Sequence, residues 1–359
     1  MTITGRCGYW QRPPRAHSHL SAAALFLLMA LGLLPTHASA LSFPLPEPGN
    51  DVVGSVQVIT AKEEDTLLAL GRQYGIGYEE MRRANPDVDV WLPGEGTEIT
   101  IPSRFILPAA ERRGVVINLA EMRLYYYPGE GQANAGRVET YPISVGRMDW
   151  STPLGESRIT EKTENPYWFP PESILTERAA QGRPLPEAVP PGPDNPLGRH
   201  KMRLDIPGGA YLIHGTNEPR GIGMRVTHGC IRMFPEDVES LFQRLPTGTP
   251  VNIVNQPVKA GWLDGALLVE VHPVLPEEAE NAFDPLEPPK LEEAVLAVAR
   301  ALENGEGRVD HERLASRVRT ASGLPGVISR EATVAGEMSG GWRAQLPRAL
   351  EPASATARP

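Results

Sequence analysis

Along residues 56–102 the apolar period changes several times within short runs. Val56, Val58 and Thr60 alternate, which predicts a strand. Asp65-Thr66 form an N-cap pair ahead of Leu67, Leu70 and Tyr74, which share one helical face, and Gly75 is the stop. A second short helix runs from Tyr78 to Ala84 and ends at Asn85-Pro86. Leu92-Pro93-Gly94 then turns into a closing strand at Glu98–Pro102, so the segment reads as a βααβ unit. Before it, residues 41–55 hold Pro44, Pro46, Pro48 and Gly49, an extended linker.

From Gly114 onward the texture is strongly β. Val115, Val116, Ile117 and Leu119, then Arg123–Tyr127, predict a hairpin around Asn118–Met122. Tyr141–Val145, Ser157–Thr160, Val251–Val254 and Leu267–Val271 are further strands. Residues 184–196 carry six prolines and cannot supply a central strand; such an excursion is a lid or a spacer. After Pro288-Pro289, Leu291, Val295, Val298 and Leu302 fall at helical spacing, and a second helix holds Leu314 and Val318. These stripes read as packing faces. Residues 331–359 lack periodicity and are expected to be a disordered tail.

The first forty residues change the accounting. Arg6, Arg12 and Arg15 precede an uncharged apolar stretch, Leu20–Leu34, and Pro35 leads to Ala38-Ser39-Ala40. That order is the pattern of a secretory signal peptide cut after Ala40. The apolar stretch is shorter than the ~20 residues a bilayer core requires, so no stable membrane insertion is expected. Cleavage removes three arginines and no acid, taking the net charge from −9 to −12. An acidic chain with no basic stretch argues against a nucleic-acid partner. Cys7 leaves with the leader, so Cys230 becomes the sole cysteine, and no disulfide scaffold or four-cysteine zinc site can form.

Two segments surround that thiol. Tyr211–Asn217 reads as a strand delivering His214 into a Gly-Thr-Asn turn, and Arg225–Met233 contains Thr227-His228-Gly229-Cys230. A free thiol is only a few per cent thiolate at neutral pH, and an adjacent imidazole makes it a competent nucleophile. Gly229 allows close backbone approach, and amides around 228–230 could face a developing oxyanion. These residues suit acyl transfer through a thioester. His228 lies two residues from Cys230 and His214 sixteen, and spacing does not choose the base between them.

The segment from His214 to Cys230 resembles the L,D-transpeptidase (YkuD-type) catalytic domain, in its exported enterobacterial-type branch. The likeness extends to Asn118–Tyr126, Gly146-Arg147, Thr152-Pro153-Leu154-Gly155 and Asn195-Pro196-Leu197-Gly198, and so spans about residues 113–257. Residues 56–102 resemble a LysM module, through Glu64–Leu67, Asn85-Pro86, Leu92–Gly96 and Ile99–Pro102. Glu64 departs from the more usual glycine, and Arg232 stands where many members carry asparagine.

The resemblance implies a mainly β fold: a βααβ LysM module at 56–102, a β-sandwich-like catalytic domain at 113–257, and a short helical appendage within 258–330. It implies Cys230 as nucleophile, His214 as base, the Gly215 carbonyl orienting the imidazole, and His228 as a neighbouring site residue. Arg225 and Arg232 are candidates for substrate carboxylates, which a guanidinium grips bidentately, and Tyr211 is a third candidate substrate contact. The implied donor is a peptidoglycan tetrapeptide stem attacked at diaminopimelate with loss of D-alanine, without metal or cofactor. An amine then forms a 3-3 cross-link or attaches an outer-membrane lipoprotein, in the periplasm. Three other readings compete: hydrolysis of the same thioester, a non-catalytic wall-binding protein, and a zinc site built from His214, His228 and Cys230.

Overall fold

The computed structural model describes residues 40–147, 152–208, 211–275, 278–279 and 287–330. The leader, save Ala40, and the 331–359 tail lie outside the described residues. In chain order the strands are β1 (Leu41–Pro44), β2 (Val52–Gly54), β3 (Gln57–Thr60), β4 (Glu98–Ile101), β5 (Arg104–Ile106) and β6 (Gly114–Asn118). There follow β7 (Arg123–Tyr127), β8 (Arg137–Pro142), β9 (Val145–Gly146), β10 (Gly155–Glu164), β11 (His200–Leu204) and β12 (Leu212–His214). The last are β13 (Arg225–Thr227), β14 (Ile231–Arg232), β15 (Pro250–Val254), β16 (Val258–Leu263), β17 (Ala266–Val271) and β18 (Gly326–Val327).

The fold is mainly β. One nine-stranded sheet runs in the order β1-β8-β7-β6-β15-β10-β11-β12-β14. Its β6–β7 hairpin pairs Gly114 with Tyr127 and Asn118 with Arg123. Every residue of these two strands is buried, which explains an apolar run in place of clean alternation. Val115, Ile117, Leu124 and Tyr126 face one core together with Ile213, Ile231, Val251 and Ile253. Val116, Tyr125 and Tyr127 face a second core with Leu67, Leu70, Ile76, Met81, Ile99 and Ile101. The layer covering that second face is therefore the βααβ segment, where a sandwich would place another large sheet.

Within that segment β3 pairs antiparallel with β4 around helices Leu67–Tyr74 and Tyr78–Ala84. Thr66 Oγ1 accepts from Ala69 N–H, and Gly75 ends the first helix in the left-handed region. The lead-in is more ordered than a linker. Its β1 forms the edge of the main sheet against β8, and β2 pairs with β5.

A buried ion pair joins the layers. Arg123 on β7, fully buried, donates from Nε and Nη2 to the two carboxylate oxygens of Glu80 at 2.8 and 2.7 Å. Its guanidinium also stacks 4.2 Å from the Phe105 ring centre.

The C-terminal extension is less helical than its sequence suggests. β16, β17 and β18 form a small sheet, and helices Leu291–Leu302 and His311–Thr320 bury Ala294, Val298, Leu314 and Val318 against it. β16 escapes prediction because Lys259 and Gly261 interrupt its apolar run. Lys259 is buried all the same: its ammonium lies 2.9 Å from Glu121 and 2.8 Å from Glu270. No helix among the described residues is long and apolar enough to cross a membrane.

Candidate active site

β12 and β14 run parallel, with Ile213 beside Ile231 and His214 beside Arg232. Both isoleucines are buried in the first core. Alternation therefore turns His214 and Arg232 to the other face, and Cys230, two residues before Arg232, follows them. Met233 N–H donates to the His214 carbonyl at 2.9 Å and fixes the register where the chain leaves the site.

His214 is 4% exposed, and its Nδ1 lies 2.6 Å from the Gly215 carbonyl. A carbonyl only accepts, so Nδ1 carries the hydrogen and Nε2 of the neutral ring presents a lone pair. Burial, and next the positive charge of Arg232, pull this histidine down to about 3, against the opposing pull of the Gly215 hydrogen bond. Cys230 is partly exposed as a residue, yet its sulfur is enclosed enough that desolvation raises the thiol. The Leu212 N–H and the Arg232 charge oppose that rise. At neutral pH the resting site thus pairs a thiol with a neutral imidazole.

Two hydroxyls shape the turn that bears the sulfur. Thr227 Oγ1 donates to the Cys230 carbonyl at 2.6 Å, and Thr152 Oγ1 to the Gly229 carbonyl at 2.9 Å. Gly229 has φ +92°, which side-chain-bearing residues rarely adopt. In a trans peptide the N–H of Cys230 points opposite the carbonyl that Thr152 ties back, an orientation suited to meeting an oxyanion.

His228 is turned toward another partner. Its Nε2 lies 3.0 Å from Glu177 Oε2, which also accepts from Arg147 Nη2 at 2.7 Å. Glu177 sits on helix Glu172–Ala180, which precedes the proline-rich excursion and buries none of its own residues. Asn195, fully buried, ties the excursion down near its C-terminal end. Its Nδ2 donates to the carbonyls of Pro166, Val189 and Pro190, and its Oδ1 accepts from Leu197 N–H. The turn it stabilises lies against Gly215.

The other expected contacts separate. Arg232 is half-buried beside the pair, and its Nε has no hydrogen-bond partner. Arg225 reaches the Leu119 carbonyl at 3.4 Å. Tyr211, the residue before β12, is half-buried and packs against the first core. The zinc arrangement also fails on geometry, because the ligand atoms of His214, His228 and Cys230 do not all come within 4.8 Å of one another. Among the described residues the grouping that does is Glu121, Glu270 and His272, and the Lys259 ammonium already lies against both of its carboxylates.

Sequence reasoning missed the parts played by Thr152, Glu177 and Asn195. Thr152 and Asn195 stood inside motifs already singled out. Glu177 had no signal, because its helix has no apolar stripe.

A family model described as the YkuD L,D-transpeptidase catalytic domain matches residues 112–253. The chain is 38% identical over 309 residues to the probable L,D-transpeptidase YcfS of Escherichia coli K12, covering 85% of this chain and 93% of that protein. It is 40% identical over 293 residues to the probable L,D-transpeptidase YbiS of the same strain, covering 80% and 92%. The probable L,D-transpeptidase ErfK/SrfK, also from that strain, is 40% identical over 303 residues, covering 83% and 94%.

Proposed function

The chain belongs to the L,D-transpeptidase family, and from that premise we propose how its residues divide the work of a cysteine-dependent transpeptidase acting on peptidoglycan. Cys230 is the nucleophile and His214 its base. As Sγ attacks the diaminopimelate carbonyl of a tetrapeptide stem, the thiol proton passes to His214 Nε2. The oxyanion meets backbone N–H groups of the His228–Cys230 turn. Collapse breaks the amide bond to D-alanine, whose leaving nitrogen takes the proton from Nε2. A thioester remains on Cys230. An incoming amine then attacks it, gives its proton to Nε2, and expels the thiolate, which recovers that proton.

One observation carries this reading. The hydrogen bond from His214 Nδ1 to the Gly215 carbonyl reserves Nε2 for proton transfer. Because the resting pair is neutral, deprotonation accompanies attack and no standing thiolate is required. Arg232 and Arg225 receive substrate carboxylates in this scheme. The amine donor is a second stem, giving a 3-3 cross-link, or a lipoprotein. The chain is exported to the periplasm by its leader, and residues 56–102 serve as a LysM module contacting glycan.

Intact-mass analysis after incubation with a disaccharide tetrapeptide tests the donor step. Wild type gains the mass of the stem less D-alanine, and Cys230→Ala gains nothing. A folded wild type that never acquires the adduct, or a Cys230→Ala variant that does, refutes the assignment.

A further inference from the structure

The loop between the two motif halves does not rest on the main sheet alone. The carbonyl of Ile222 accepts from Tyr78 N–H at 3.1 Å, and that of Gly223 from Glu79 N–H at 3.2 Å. The donors open helix Tyr78–Ala84, where backbone N–H groups have no partner within the helix. The backbones touch at this point. A Cβ on Gly223, which has φ +86°, would lie 2.2 Å from Tyr78 N, and one on Gly77 would lie 2.9 Å from the Gly223 Cα.

Both sides of the contact are anchored. Gly77 N–H donates to Glu80 Oε2 at 2.7 Å, and Arg123 of the main sheet holds both Glu80 oxygens and reaches the Gly75 carbonyl at 3.2 Å. On the other flank Ser144 Oγ donates to the Gly221 carbonyl at 2.6 Å. The Ser144 backbone exchanges hydrogen bonds with Arg232 at 2.8 and 3.0 Å. The loop is thus clamped between the βααβ segment and the residue bracketing Arg232, two positions from Cys230.

We infer that the backbone of Tyr78 and Glu79 is a positioning element of the active centre, setting the loop at 221–223 and through it the turn that bears Cys230. The inference rests on the assignment of Cys230 and His214 as the catalytic pair. On this account the N-terminal segment belongs to the transfer machinery whether or not it also contacts glycan. Chain held rigidly near a reacting group matters because a displacement of about 1 Å can cost ~100-fold in rate.

A proline scan at one position separates this role from packing. Tyr78 is the first residue of its helix, a position proline tolerates, and Gly77 at φ −76°, ψ 163° has the extended conformation favoured before proline. Tyr78→Pro therefore removes the donor to Ile222 with the helix kept, and Tyr78→Ala removes the side chain with the donor kept. The acylation rate constant should stay within ~3-fold of wild type in Tyr78→Ala and fall ~10- to 100-fold in Tyr78→Pro, the range a sub-ångström to 1 Å shift produces. KM should change little, and iodoacetamide should alkylate Cys230 within ~3-fold of the wild-type rate, whereas general loosening would expose the thiol and accelerate it. Equal acylation by the two variants overturns the inference. If Tyr78→Pro does not fold, Gly223→Ala decides by the same criteria, since its methyl group must push the loop off Tyr78. A wild type that fails to acylate at all would instead refute the catalytic assignment.

Discussion

Replacing Glu80 by glutamine keeps its volume and removes its charge. Glu80 Oε1 accepts from Arg123 Nε, while Oε2 accepts from both Arg123 Nη2 and Gly77 N–H. A glutamine must turn its NH₂ toward one of these donors, so a donor faces a donor inside the protein. The Arg123 side chain is 0% exposed, and its remaining partners are the Thr140 hydroxyl, the Gly75 carbonyl and the Phe105 ring. Breaking a buried pair by removing one charge costs about 3–5 kcal/mol, because the other charge stays buried and uncompensated. At ~2 °C per kcal/mol for a chain of this size, Glu80→Gln should melt about 6–10 °C below wild type. Urea unfolding followed by circular dichroism should show a lower midpoint with an unchanged slope. Arg123→Met combined with Glu80→Met should recover more than half the loss, since a well-packed apolar pair substitutes for a buried ion pair. A Glu80→Gln variant within ~1 kcal/mol of wild type, below the range for a broken buried pair, would refute the reasoning. So would a double variant no better than the single.

Four other outcomes follow from the described groups. With His214 held at about 3, its base form persists far below the ordinary imidazole range, so acylation kcat/KM should show no acid limb between pH 7 and 5; a midpoint near 6.5 contradicts this. His214 and His272, both lowered to about 3 by burial first, bind fewer protons folded than unfolded between pH 3 and 6.5. Stability should therefore fall as pH drops through that window, by at most ~1.4 kcal/mol per pH unit for each. Asp237 runs the other way: burial first, then the Glu236 carboxylate, push it up to about 8. The folded chain then retains a proton that the unfolded chain releases above pH ~4, so stability declines toward pH 8. Asp237→Asn should match wild type in melting temperature at pH 4 and exceed it at pH 8, and equal melting at pH 8 would count against a neutral carboxyl. Glu177→Gln should loosen helix Glu172–Ala180 from Arg147 and His228 and shift products from amine transfer toward hydrolysis, with melting temperature little changed. An unaltered product ratio would remove this helix from the question of water exclusion.

What could be read from the chain follows the range of the forces involved. The β6–β7 hairpin and the βααβ segment were legible because short-range signals fix them: an N-cap at Thr66, a glycine stop at Gly75 and Pro86 after the second helix. His214 and Cys230 could be singled out only through motif context, because sixteen residues of spacing alone left the base undecided. Helix Pro235–Arg244 had local signals too, with proline at its start and Glu236 and Asp237 in its first turn, but adjacency to the site motif obscured it. Helix Glu172–Ala180 had none, because all of its residues keep contact with solvent and no periodic stripe exists. The buried charges were the least accessible. Nothing within β7 marks Arg123 for the interior, since Glu80 lies 43 positions away in the chain. Lys259 likewise depends on Glu121, far upstream, and on the backbone carbonyl of Ile106 at 2.7 Å.

The lysine at position 259 has a consequence for how the molecule comes apart. Its ammonium touches Glu121 beside the main sheet, Glu270 in the C-terminal sheet and the Ile106 carbonyl at the end of β5, while His272 Nε2 donates to Glu270 at 2.7 Å and the Tyr125 hydroxyl donates to Glu121. One cation thereby fastens stretches that the linear order of the chain would assign to three separable modules. A protease nick between any two of them should leave the fragments associated, and a gene fusion that borrows only the central stretch would inherit the Glu121 carboxylate in its interior without its cation.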